Sequence, residues 1–350
     1  MRPVLKPALR RLWRDAATIQ LGVDPDAAVI LSGVDGAAAG VLDLLDGTRD
    51  FAGVLADAAA AGVDPQSAEA LLELLASAGV LDDAAADVTP LAALDRIERD
   101  RLAPDLAAAS LLRRSPGAAL DVLNRRRTAV VALTAAGRIG VPIATLLAGS
   151  GVGHITVSTV GVVGAVDTVP AGPGLADVGV PALEAVRGAV GRIAPSTRCG
   201  PPSPGDRPDI TVLLGTASRD PGVRARWLQA GVPHVSVSLR ELTGVVGPLV
   251  LPGRSACLRC LDLNRADRDA AWPLLSAQLA GPEPHEGAVG DTVLATATAA
   301  LVAGQVLAFL DGAEPATVNG TLELRMPDWR LRRRAWSPHP ACGCAWRQAG

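Results

Sequence analysis

At 350 residues, 49% hydrophobic and 20% charged, the chain is long enough for two or three domains with substantial cores and too apolar for intrinsic disorder. A formal net charge of -3 and a pI near 5.8 argue against nucleic acid or an anionic membrane as partner, because both select basic surfaces. Lys6 is the only lysine, so a phosphate-gripping or Schiff-base lysine would have to come from a terminal segment.

The opening residues, Met1 to Leu21, are interrupted by Arg and Asp and lack the apolar core of a secretory signal, which points to a cytoplasmic address. Thr18-Ile-Gln-Leu-Gly-Val23 and Ala28-Val-Ile-Leu31 are short β-like runs around Asp24-Pro25-Asp26, a hairpin pattern. Three helical segments follow: one from Ala37 to Leu45, one carrying Phe51, Val54 and Leu55, and one from Pro65 to the terminating Gly79. A hairpin followed by three short helices is the order of a small winged-helix module, assigned to residues 1–85. Such modules often bind DNA, but this one carries acids such as Asp43, Asp46, Asp50, Asp57 and Asp64, and phosphate contacts require Lys and Arg. The reading that fits is peptide recognition, with Thr18, Ile19, Gln20, Leu21, Gly22 and Val23 offering a strand to which a peptide adds. Residues 86–127 are Ala-rich and charged, with helical runs broken at Pro90, Pro104 and Pro116, and read as a helical connector.

From residue 128 to 350, strands alternate with helices. Ala129-Val-Val-Ala-Leu133, His154-Ile-Thr-Val-Ser158, Asp209-Ile-Thr-Val-Leu-Leu214 and His234-Val-Ser-Val-Ser238 are strand-like. The expected fold class is therefore α/β, a doubly wound and mainly parallel Rossmann-like sheet. The segments from Thr321 to Met326 and from Trp329 to Arg334 alternate as antiparallel strands do. The run from Thr292 to Leu310 approaches membrane-spanning length, but its Thr, Gln and small residues favour a helix buried against the sheet or a partner subunit.

Two motifs carry chemistry. Cys257-Leu-Arg-Cys260 and Cys342-Gly-Cys344 are paired cysteines suited to a structural zinc, since four thiolates leave no open coordination position; a redox pair or ordinary thiols are the alternatives. Cys199 stands alone with no local base to activate it. The stretch from Thr134 to Gly140 has the form of a nucleotide-binding turn with Ala135, Gly137 and Gly140 where glycine would be needed three times. No carboxylate follows the second strand until Asp167, and Gly215-Thr216-Ala217 precedes Asp220.

Taken with Gly151-Val-Gly-His-Ile-Thr-Val, Asp177-Val-Gly, the run from Gly247 to Cys260 and His339-Pro-Ala-Cys-Gly-Cys344, these motifs resemble the ThiF-like superfamily, which includes the ubiquitin-activating enzymes. The resemblance covers about Thr128 to Trp346. The run from Cys257 to Arg265 and Trp272-Pro273 is most similar to the cyclodehydratase-associated branch, whose members accompany YcaO enzymes acting on ribosomal peptides and whose N-terminal module recognises a leader peptide. In activating members ATP and magnesium adenylate a carboxylate. The resemblance places the ribose-binding acid at Thr159 and the magnesium aspartate at Thr216, and the arginine expected ahead of Asp177 is absent. The sequence is thus expected to encode a non-catalytic protein that binds a leader peptide and presents it to a YcaO-type or other enzyme, with ATP and magnesium disfavoured. The alternative is an ATP-dependent adenylyltransferase acting on the C-terminus of a peptide or ubiquitin-like protein and using displaced groups such as Arg138, Asp167, Asp209 or Asp220. Pairing as a homodimer is common in the superfamily.

Overall fold

In the computed structural model, which describes residues 1–281 and 290–344, the chain divides into two compact units, Met1–Asn124 and the remainder from Arg125. Trp346 lies outside the described residues.

In the first unit, strands β1 (Pro3–Leu5), β2 (Arg11–Asp15), β3 (Thr18–Leu21) and β4 (Val29–Ser32) precede helices α1 (Gly36–Asp43), α2 (Phe51–Ala60) and α3 (Pro65–Ser77). Strand β5 (Leu81–Asp83) then returns to pair antiparallel with β1. The expected hairpin is a three-stranded antiparallel sheet in the order β2-β3-β4. Ile19 and Leu21 of β3 turn into a core shared with Leu31, Val54, Leu72 and Leu75. Part of the unit's acidity is capping chemistry: Asp35, Asp50 and Asp64 each accept a hydrogen bond from a first-turn N–H of α1, α2 and α3, satisfying donors that a helix start leaves open.

The connector forms α4 (Thr89–Ala92), α5 (Arg96–Leu112) and α6 (Ala118–Thr128), with a small core of Leu94, Leu102 and Leu123. Contrary to the sequence expectation, Pro104 does not end its helix and lies inside α5. Both Pro104 and Asp100, whose carbonyl loses its partner, are exposed, which leaves the break in the ladder on the solvent side of the helix. Lys6 is 1% exposed and its Nζ donates to the carbonyl of Arg113, at 3.0 Å, and to that of Ser110, at the end of α5. Burial pushes its pKa down. The only lysine is a structural cap.

The second unit is built on an eight-stranded sheet in the order β13-β12-β11-β10-β9-β6-β7-β8. Its strands are β6 (Val130–Leu133), β7 (His154–Val157), β8 (Arg198–Gly200), β9 (Ile210–Leu213), β10 (His234–Arg240), β11 (Thr243–Val250), β12 (Gly320–Arg325) and β13 (Arg330–Ala335). From β8 to β10 neighbours run parallel, and from β10 to β13 they run antiparallel. Helices α7 (Gly137–Gly149), α8 (Ala182–Ile193), α9 (Pro221–Gln229), α10 (Leu258–Ala266), α11 (Trp272–Leu279) and α12 (Thr292–Leu310) complete the unit. Alternation along β9 shows both faces covered: Ile210 and Val212 pack with Ile143, Leu147, Val302 and Val306 of α7 and α12, while Leu213 packs with Leu258, Leu261 and Trp336. The helix α12 is long and apolar enough to cross a membrane. Its Leu294, Ala295, Thr298, Ala299, Val302 and Val306 are nonetheless built into this core, and it packs against α7 and β11.

Candidate functional site

Strand order reverses around β6, with β7 and β8 on one side and β9 and β10 on the other. In open α/β sheets such a switch point, at the C-terminal ends of the strands, leaves a crevice. Here it is a cavity of about 850 Å³ lined by residues 134–139 after β6, 157–160 at the end of β7, Leu214 and Gly215 after β9, and residues 237–239 in β10. Thr134 fixes the rim, its Oγ1 accepting a 2.8 Å hydrogen bond from the Leu214 N–H.

The two glycines differ in role. Gly137 opens α7 with φ at +67°, and a Cβ there would meet only Asp167 Oδ1, at 3.5 Å. Gly140 has ordinary φ, but a Cβ would lie 2.3 Å from the Ala135 carbonyl oxygen, so it is required for strand and helix to approach. No side chain caps the α7 N-terminus, and its first-turn N–H groups and dipole present partial positive charge to the cavity.

Of the four displaced candidates, two reach the cavity. Arg138 and Asp167 line it. Arg138 donates from Nη1 to the Val166 carbonyl and from Nη2 to Thr292 Oγ1, each at 2.8 Å, while its Nε is buried without a partner. Asp167 is the single carboxylate lining the cavity among the described residues, and its Oδ2 accepts from the Gly164 N–H at 2.8 Å. The other two are structural. Asp209 accepts from the Val130 N–H at the opposite end of the sheet, and Asp220 caps α9. Thr159 lines the cavity, and Thr216 sits in the 3-10 turn Gly215–Ser218 after β9. Arg219, not singled out in the sequence, also lines the cavity; it closes the 3-10 turn Gly215–Ser218 that follows β9, and its place in the crossover after a strand was the available signal.

The cysteines form a second centre. Cys257 Sγ lies 3.7 Å from Cys260 Sγ and 3.4 Å from Cys342 Sγ, and Cys260 Sγ lies 3.4 Å from Cys344 Sγ. All four sulfurs fall within 4.8 Å of one another. A tetrahedral zinc with Zn–S bonds of about 2.3 Å sets sulfurs about 3.8 Å apart, so the four cysteines could hold a zinc ion. Cys257 and Cys260 come from the start of α10. Gly343, with φ at +74°, turns the chain so that Cys342 and Cys344 meet the same centre. Cys199 lies in β8, where burial pushes its thiol up to about 11.

The strand offered for peptide addition is enclosed. Residues 18–21 form β3, which pairs with β2 on one side and β4 on the other. Gly22 and Val23 continue past it, and Gly22 N donates to the Arg10 carbonyl. The free edges of this sheet are β2 and β4, with Trp13 and Ile30 about half exposed.

No family model and no curated protein matches the sequence. Solved structures do match over nearly the whole chain. E. coli MccB crystallised with ATP is 15% identical, with 98% of this chain and 99% of that chain covered and a TM-score of 0.70. The microcin C7 biosynthetic enzyme MccB in complex with N-formylated MccA is 15% identical, covering 99% and 100%, with a TM-score of 0.71. Selenomethionine PaaA is 17% identical, covering 95% and 99%, with a TM-score of 0.72. The chain has the fold of these proteins, which supports the ThiF-like resemblance at the level of fold and does not single out the cyclodehydratase-associated branch.

Proposed function

We propose that this chain is an ATP-dependent enzyme that adenylates the carboxylate of a peptide. This reverses the weighting drawn from the sequence, in which altered nucleotide contacts favoured a non-catalytic binder with ATP disfavoured. The observation that carries the proposal is the cavity at the switch point, which joins an uncapped helix N-terminus to Arg138 and Asp167. Its context supports the reading: MccB, which shares the fold across both units, has been crystallised with ATP and with the peptide MccA.

The groups present fit a triphosphate and its cation. Backbone N–H groups at the start of α7 suit phosphate oxygens, and Gly137 lets the backbone approach. A magnesium ion arriving with ATP needs only one or two carboxylates besides phosphate and water, and Asp167 supplies one; the ion would neutralise charge as pyrophosphate leaves. Arg138 and Arg219 add positive charge that a leaving pyrophosphate requires. Labelled pyrophosphate should exchange into ATP with a pooled library of peptides bearing free C-termini and not with the same peptides amidated. Absence of exchange from both pools, with the fold intact, returns the chain to the non-catalytic reading.

One observation favours that second reading. Threonines stand at 159 and 216, where the superfamily resemblance implies acids, and Asp167 already approaches the turn glycine. On this reading the chain, as a cytoplasmic homodimer, presents a leader peptide to a YcaO-type enzyme through its winged-helix-like first unit.

A further inference from the structure

We propose that the second unit carries a carboxylate-binding pocket that reads acidic side chains of a peptide. Two cavities, of about 260 and 560 Å³, lie beyond the switch-point cavity. The three are successive: the first two share Arg219, Ser238 and Leu239, and the last two share Arg240, Glu241, Arg265 and Trp272. Among the described residues, seven arginines and four carboxylates line the outer pair, a local positive excess in a chain of net charge -3.

The arginines are held ready for a planar acceptor. Arg265 is stacked between Trp272, at 4.7 Å, and Trp336, at 5.3 Å, while Arg268 also lies over Trp336. Trp336 is fixed by donating to Thr321 Oγ1 at 3.0 Å. Among the described residues the acid nearest Arg265 is Asp262, at 3.8 Å, too far for a hydrogen bond. Asp262 is engaged elsewhere, accepting from Arg224 at 2.7 Å and from Trp272 Nε1 at 3.2 Å. Burial, and after it the neighbouring Arg240, lowers the Arg265 pKa to about 10, with Asp262 and Glu323 acting against the shift. Arg334 is paired with Glu323 at 3.2 Å, but the Arg240 guanidinium makes no hydrogen bond or ion pair among the described residues.

Stacked guanidinium planes present parallel N–H donors that match a carboxylate in bidentate fashion. Arg265, Arg268 and Arg334 lie over Trp336 and Arg265 over Trp272, so arginine already occupies these rings where a nucleobase would stack, which favours a peptide. The run of shared linings lets one extended chain occupy all three cavities. Identifying that chain with the adenylated substrate rests on the proposed function; the pocket itself does not.

The test uses the full chain without ATP, so its failure and a failure to bind ATP are separate results. Fluorescence anisotropy compares labelled penta-glutamate with penta-glutamine. Penta-glutamate should bind at least about tenfold tighter at moderate salt. Arg240→Gln combined with Arg268→Gln should weaken it about tenfold, and Arg240→Lys, which keeps the charge but loses the bidentate fork, should weaken it less than Arg240→Gln does. Arg330→Gln with Arg332→Gln, on the exposed strand outside both cavities, should change binding by less than about twofold. Equal binding of the two peptides, equal loss from the distant pair, or full displacement by about 10 mM inorganic phosphate would overturn the assignment.

Discussion

The cysteine cluster and the switch-point cavity sit in one unit but are built in opposite ways. The cluster takes each pair of ligands from a three- or four-residue segment, Cys257 with Cys260 and Cys342 with Cys344, and only their meeting requires the fold. The cavity takes short runs from the ends of four strands, and local geometry there serves the sheet before any ligand. A site made of local pairs keeps its chemistry visible in sequence. A site made of strand ends can move its polar groups to neighbouring positions, which is the role proposed for Arg138 and Asp167.

The comparison breaks most sharply at the metal. Cys257→Ser together with Cys344→Ser should abolish zinc binding and lower the stability of the second unit by about 4 kcal/mol or more. Metal analysis and thermal melting check this, and metal-free protein of unchanged stability would refute the structural role.

Backbone geometry in the cavity gives the next effect. Gly140→Ala should cost about 3 kcal/mol, because its methyl meets the Ala135 carbonyl. Gly137→Ala should cost nearer 1 kcal/mol, the strain of a positive φ. Denaturant melts separate them, and equal costs would dissolve the distinction between the two glycines. A smaller loss, about 2 kcal/mol and confined to the first unit, is expected for Lys6→Ala, which leaves carbonyls of α5 unmatched. Nucleotide binding should be unaffected; a loss of ATP affinity in that variant would contradict its purely structural assignment.

The smallest effect concerns Cys199. With a thiol pKa near 11, its thiolate is only about one part in a thousand at pH 8. Its alkylation should be slow and should rise about tenfold per pH unit up to that pKa. Rapid modification at neutral pH, followed by peptide mapping, would mark it as an activated thiol.

Much of the second unit was legible because strands such as Ile210–Leu213 are continuous apolar runs between turn residues. β11 was not, since TGVVGPLV carries two glycines and a proline, and only its neighbours β10 and β12 make it a strand. The β1 and β5 pairing joins residues almost a unit apart, beyond any periodic signal. The paired cysteines announced their site, whereas the arginine pocket collects Arg240, Arg265, Trp272 and Trp336 from separate elements with no common motif. The expectation that Thr18 to Val23 offers a free strand edge differs from the central place of β3 for a similar reason: alternation identifies a strand but does not tell whether it is central or an edge.

The central claim, that the cavity still binds ATP, is tested most directly by calorimetric titration of the full chain with Mg-ATP, wild type beside Asp167→Asn. The account predicts one site with a dissociation constant of order 1–100 μM, weakened about tenfold by the substitution. No binding at about 1 mM Mg-ATP, or tighter binding after Asp167→Asn because the carboxylate had merely filled the phosphate position, would contradict it.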